Sequence, residues 1–390
     1  MAGVAMVKQG LREVYNNVVD IDDAMVELKK VTTESTEAYS QFSDRAAKTS
    51  RDLGASISDY VNATADWARL GYGLPDAEEL ARVSTLFANV GDGIENIADA
   101  SSYMISILKG FDLAADDAQK VADLINEVAN NEPASASDIS EILTRSGAAI
   151  HEAGNDLSQA ISLGVAMNTV IQNAESTGQT LKTVSMYLRA AKTDLENMGE
   201  SSDGCANSVS ELRSELKQLT GVDIMKDAAG TQFKSTYDIL KEISEVWGSL
   251  SDVTRANVTE MLGGKRNANA VAAVLSQFEI AEKSMKDAAN SAGSAAKENE
   301  VYLSSITGKL AQLDSAFQQL SQDLLDSSLI KFFVDFATAS VDIADGAVKA
   351  AGALPTLTAA ISGVLSLLQM SGKLKNGAGK VNMPSYICCV

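Results

Sequence analysis

Few residues of this chain are suited to chemistry, and their spacing limits what they can do. There is one histidine, His151, and there are three cysteines, Cys205, Cys388 and Cys389. One imidazole cannot build a His-based zinc site, and three thiols make no disulfide framework. A nucleophile–base pair would have to join His151 to one of those cysteines. His151 lies in Ile150-His151-Glu152-Ala153-Gly154, a polar helical stretch, and reads as a solvated surface residue. This cysteine usage fits a reducing compartment.

The glycine-bearing turns carry equally little. Gly263-Gly264-Lys265-Arg266 has the outline of a phosphate loop. It lacks the earlier glycine at the required spacing and the Ser or Thr after the lysine, so the backbone cradle and the magnesium ligand are missing. It reads as a turn between helices. Gly71-Tyr72-Gly73 and Gly91-Asp92-Gly93 lack a third glycine and follow no strand. Asp20-Ile21-Asp22-Asp23 has neither the turn glycine nor the closing glutamate of a calcium loop. Asp116-Asp117 could pair as acid and base, but with 52 acidic residues such neighbours arise on solvated helix faces. The expectation is a protein that is not an enzyme, with no catalytic, cofactor-binding or metal-binding residue and no cofactor.

The elements behind these residues follow from composition. The chain has 390 residues, 4 Pro, 2 Trp, 5% aromatic and 45% hydrophobic residues. Scarce proline and aromatics favour helix over sheet, and the apolar content disfavours disorder. The fold class expected is all-α. A formal charge of -20 argues against nucleic acid as a specific partner. The N-terminus, Met1-Ala-Gly-Val-Ala-Met-Val-Lys, has no basic region followed by an apolar run and reads as no signal peptide.

Two seams organise the ends. Val4, Val7, Leu11, Val14, Val18, Ile21, Met25 and Leu28 follow at spacings of three and four, the a/d pattern of a coiled coil or of an amphipathic helix packed on its own domain. Leu303, Ile306, Leu310, Leu313, Phe317, Leu320 and Leu324 repeat it downstream, and Val209, Leu212, Leu216 and Leu219 form a shorter run. The Ala/Ser/Asn/Lys stretch of 283–297 reads as a continuation of the second seam's helix. Between the seams, Gly breaks and Asn130-Asn131-Glu132-Pro133 separate helices of a compact core, and Ser135-Ala136-Ser137-Asp138 offers N-cap oxygens to one of them. Residues 329–348 are amphipathic. Residues 350–372 carry no charge and are long enough to span a bilayer, or to form a buried core helix. Lys373, Lys375 and Lys380 follow without an acid, as a positive flank would. The domains expected are a coiled-coil segment 1–32, a helical core 33–290, a coiled-coil helix 291–327, an amphipathic helix with a transmembrane candidate 328–372, and a basic tail 373–390.

The core stretches occur in a specific order. They begin with Asp22-Asp23-Ala-Met-Val-Glu-Leu-Lys-Lys-Val-Thr and residues 46–59, which include Leu53-Gly54-Ala-Ser. Ala68-Arg-Leu-Gly-Tyr-Gly, Ala122-Asp-Leu-Ile-Asn-Glu-Val-Ala-Asn-Asn and Ala136-Ser-Asp-Ile-Ser-Glu-Ile-Leu-Thr-Arg-Ser-Gly-Ala-Ala follow. Gly178-Gln-Thr-Leu-Lys-Thr-Val, Gly221-Val-Asp and Met261-Leu-Gly-Gly-Lys-Arg close the series. In this order and spacing the region 20–280 resembles the helical core of tape-measure proteins from long-tailed phages of Gram-positive bacteria. That resemblance implies an elongated structural ruler and scaffold that sets tail-tube length during assembly and leaves at genome ejection, with insertion in the host membrane as a further step. It implies self-association as a trimer or higher through the coiled coils. The partners implied are tail-tube and tail-tip proteins, tail assembly chaperones and a host membrane. The locations implied are host cytoplasm during assembly, then the lumen of the virion tail. Members of the family are often far longer, and some carry a cell-wall hydrolase domain of which no motif stands here. The last residues, Met383-Pro-Ser-Tyr-Ile-Cys-Cys-Val, leave a minimal version and a truncated reading frame both open. The competing classes are a bacterial coiled-coil scaffold or membrane-associated protein, and a tail-tip cell-wall hydrolase.

Overall fold

The computed structural model describes the backbone of residues 2–325 and the side chains of residues 12–321. All elements there are helical apart from one isolated antiparallel bridge, Met225 with Phe233. The amphipathic stretch, the uncharged 350–372 stretch, the basic tail, Cys388 and Cys389 lie outside the described residues, as do the side chains of Val4, Val7, Leu11 and Leu324. Among the described residues no helix is long and apolar enough to cross a membrane.

The chain divides into two compact units. Among the described residues the first comprises 2–30, 34–61 and 310–325. It holds α1 (Ala2–Val31), α2 (Thr36–Leu53), the first turn of α3 (Ile57–Arg69) and most of α16 (Ile306–Leu325). Ser35 starts α2 by accepting the Ala38 N–H, and Gly54 ends it in the left-handed conformation. Val14, Ile21, Ala24, Met25 and Leu28 bury the inner face of α1, and Phe42, Ala46, Ala47 and Leu53 that of α2. The turn between α2 and α3 meets α16 through polar groups. Gln318 accepts the Ile57 N–H at 2.8 Å, Arg51 donates to Gln319 at 3.1 Å, and Ser315 donates to the Ala55 carbonyl. Burial raises the carboxyl of Asp314 above the usual range.

The second unit comprises residues 31–33 and 62–309. It holds α4 (Leu74–Val90), α5 (Ile97–Gly110), α6 (Ala118–Asn131), α7 (Ala136–Glu152), α8 (Leu157–Ile171), α9 (Ala174–Tyr187) and α10 (Lys192–Asn197). The remaining helices are α11 (Val209–Thr220), α12 (Thr236–Trp247), α13 (Asp252–Ser276), α14 (Glu279–Ala289) and α15 (Ser294–Ser304). Helix α7 is central, packing on α5, α8 and most extensively on α9. The α7–α9 approach needs Gly178, where a Cβ would stand 2.7 Å from the Arg145 Cβ and 2.8 Å from the Ile142 carbonyl oxygen. The cap anticipated at Ser135 is a full capping box: Ser135 accepts the Asp138 N–H at 3.0 Å and Asp138 accepts the Ser135 N–H at 3.1 Å. Of the short seam, Leu212 and Leu216 are buried while Val209 and Leu219 are half-buried.

The helix expected to run unbroken through 283–297 into the second seam is instead three helices, α14, α15 and α16. Gly293 (φ 78) caps the start of α15, and Ser305, with ψ 164, separates α15 from α16. No proline marks either break, which is why periodicity alone reads through them.

Candidate interaction surfaces

The residues that could have done chemistry are placed apart. His151 is half-buried rather than solvated, because α7 sets its ring edge-on to Phe111, with centroids 5.7 Å apart. Cys205 is buried against Tyr187 and Leu195, and that burial pushes its thiol up, away from the reactive thiolate. Asp117 accepts the Ala114 N–H at 3.1 Å and so serves a turn. Asp20, Asp22 and Asp23 are exposed. Among the described residues no cluster of three or more His, Cys, Asp or Glu could hold a metal ion.

Gly263-Gly264-Lys265-Arg266 forms a break inside α13, where Gly264 takes φ 67 and ψ 176. A Cβ on Gly264 would stand 2.7 Å from the Tyr187 Oη and 3.0 Å from the Asp203 carbonyl oxygen. Tyr187 in turn donates to the carbonyls of Ser201 (2.9 Å) and Asp203 (3.1 Å). Burial, with the charges of Cys205 and Asp203 behind it, pushes its phenol up to about 12. The residues around this joint line a polar groove of about 650 Å³ that includes Arg145, Gln179, Tyr187, Glu200, Lys265 and Asn267. Arg145 is paired with Glu141 and Glu175, and Gln179 with Glu200, so the groove is a satisfied helix junction.

Three further polar clasps hold the second unit. Asn155, buried, donates to the carbonyls of Ile150 and Ala153 and accepts the Tyr237 N–H at 2.8 Å. Arg189 donates to the carbonyls of Ala153 and Lys234 and lies 4.3 Å from the Phe233 ring centroid, and burial brings its pKa down to about 10. On α6, Asp123, Asn126, Glu127 and Asn130 share one face and grip α15. Asp123 accepts the N–H groups of Gly293 (3.0 Å) and Ala295 (3.1 Å), and Asn126 donates to Ser294 and Glu298, each at 3.0 Å. Ser294 donates to Glu127 at 2.7 Å, and Asn130 donates to Glu298. Sequence reading passes over this grip, since a polar i, i+3, i+4, i+7 stripe looks like a solvated face.

The seams sit differently in the two helices that carry them. In α1, Val14, Ile21, Met25 and Leu28 are buried within the first unit and Val18 is half-buried. In the downstream seam Phe317 is buried, Leu303 and Leu320 are half-buried, and Ile306, Leu310 and Leu313 are 80%, 37% and 43% exposed.

Residues 43–264, a span that ends at the α13 break, match the family described as phage-related minor tail protein. The chain belongs to that family. It is also similar to the "Probable tape measure protein" of Halomonas phage phiHAP-1, being 22% identical over 393 aligned positions. That alignment covers 93% of this chain and 43% of the relative, so the chain spans less than half the length of the curated relative it matches. No solved structure matches it.

Proposed function

We propose that this member of the minor tail protein family acts as a tape measure. It is the helical scaffold around which tail-tube subunits polymerise, and its length decides where the tube stops. The observation that carries this reading is the similarity to a probable tape measure protein across 93% of the chain. The work is mechanical and uses no catalytic residue. The partners are tail-tube and tail-tip proteins, assembly chaperones and further copies of this chain, three or more, joined along the exposed positions of the α16 seam, since the α1 seam is already covered within the chain. The site of action is the tail lumen, from which the chain departs ahead of the genome. Residues 350–372 then enter the host membrane.

Magnitudes decide which parts can measure length. A folded body of about 250 residues, the size of the second unit, has a radius of gyration of about 18 Å. The same residues as one helix would run roughly 375 Å. Length therefore resides in segments that lie extended, and the 30-residue α1, roughly 45 Å long, is the longest described. Protease protection tests the location. Intact tails should shield the chain from added protease, and tails triggered to eject should expose it. Digestion at equal rates in both would contradict the reading.

A further inference from the structure

We propose that Glu279–Leu325 is a convertible segment, folded as α14, α15 and α16 in this structure and able to become one continuous helix when α15 leaves α6. Three observations carry this.

Helix α15 is held chiefly by polar groups, with Tyr302 and Leu303 half-buried at its end. Its buried residues are Ala295 and Asn299 alone. Its anchors are the Asp123, Asn126, Glu127 and Asn130 face of α6 and the bond from Asn89 of α4 to Asn299 at 2.9 Å. Water replaces hydrogen bonds far better than it replaces apolar burial, so such a helix is a local opening unit of the fold.

The breaks on either side are minimal and built on residues that can also be helical. Between α14 and α15 only residues 290–293 intervene, and between α15 and α16 only Ser305. Ser305 closes the corner by accepting the Gly308 N–H at 3.1 Å. The corner also requires Gly308: a Cβ there would lie 2.2 Å from the Tyr302 carbonyl oxygen and 2.7 Å from the Leu303 Cα. In a straight helix the same Cβ meets no such obstacle, and alanine is preferred to glycine. The single residue that most firmly forbids the corner when changed is thus one that favours the straight form.

The segment carries two faces, one buried in the docked form and one that the fold leaves largely exposed between Ala289 and Leu313. Ala288, Ser291, Ala295 and Asn299 are buried in the docked form. Carried back from Leu303 at spacings of three and four, the downstream seam runs instead through Asn299, Ala296, Ala292, Ala289 and Met285. Ala289, Ala292 and Ala296 are exposed, as are Ile306, Leu310 and Leu313. Straightened, the 47 residues form a helix of roughly 70 Å with this seam along its length. The use of that seam rests on the coiled-coil association proposed above, whereas the conversion itself does not.

Hydrogen exchange on the full chain tests it at two amides. In the corner, Ile306 and Thr307 stand in the first turn of α16, where an amide has no partner four residues back. In the straight helix they bond to Tyr302 and Leu303. G308A should therefore slow exchange at Ile306 and Thr307 at least tenfold. Exchange that is unchanged, or faster throughout 279–325 as in a merely loosened protein, would overturn the proposal. Adding N89C and N299C, oxidised to tie α15 to α4, should restore fast exchange at both amides. Slow exchange persisting in the oxidised triple variant would show that straightening does not need α15 to undock, and would overturn it as well.

Discussion

Replacing Gly264 by alanine tests the joint at the end of the family-matched span. The residue sits at φ 67 and ψ 176, a region open essentially to glycine, so alanine costs about 1–3 kcal/mol in backbone strain alone. Its Cβ also displaces the Tyr187 hydroxyl, 2.7 Å away. Moving that hydroxyl weakens its one donation, shared between the Ser201 and Asp203 carbonyls and worth about 1 kcal/mol. Straightening α13 returns about 1 kcal/mol of helix preference but pulls one half of the helix from its packing. The net cost is about 3 kcal/mol, or about 6–12 °C in the melting midpoint of a unit this size. Gly199 is the control: it has φ 74 and no atom within 4 Å of an added Cβ, so G199A should cost only about 1–2 kcal/mol. In a Y187F background the penalty of G264A should shrink, because the hydroxyl it strikes is gone. Thermal and denaturant melts of the four proteins read this directly. G264A costing no more than G199A, or adding independently to Y187F, would refute the steric account of the joint.

Other expectations follow from the same contacts. N155A leaves the Tyr237 N–H buried without its partner, while the Ile150 carbonyl keeps the backbone N–H of residue 155, and should cost about 1–3 kcal/mol in urea unfolding. Tyr187 has a folded pKa of about 12 against an ordinary 10, so its contribution to stability is complete below pH 10 and lost as pH rises toward 12. Melts of Y187F across that range should lack this alkaline loss. The Arg213 guanidinium, bonded to Asp223 at 2.8 Å through two nitrogens, holds that carboxyl far below its usual range. The pair therefore stabilises above the ordinary carboxylate pKa and is lost on acidification, a loss that D223N should not show in acid titrations. Asp314 has the opposite sign: its raised pKa is a cost at pH 7 relieved as pH falls, so D314N should stabilise at pH 7 and be neutral near pH 3. Light scattering on residues 1–325 should give three chains or more, and a monomer mass would contradict association through the α16 seam.

The all-α class was legible because four prolines and few aromatics leave helix as the one economical way to bury so much alanine and leucine. Breaks that carry a chemical signature were legible too, such as the Ser135 capping box and the glycine pair before Lys265. What stayed hidden depends on tertiary partners. Ser305 is an ordinary helix residue by type, and its extended conformation carries no sequence signature, so 283–325 reads as one helix. Asp123 and Asn126 carry no signal of their role in sequence, because only the fold brings α15 to them. His151 reads as exposed because Phe111, forty residues away in sequence, is its cover.

The tape-measure role proposed above requires tail length to follow the length of this chain. Three further in-phase copies of residues 4–31 keep the three-four register of α1 and add roughly 126 Å if helical. Electron microscopy of the resulting particles should show tails longer by about that amount. Viable particles with tails of unchanged length would contradict the account.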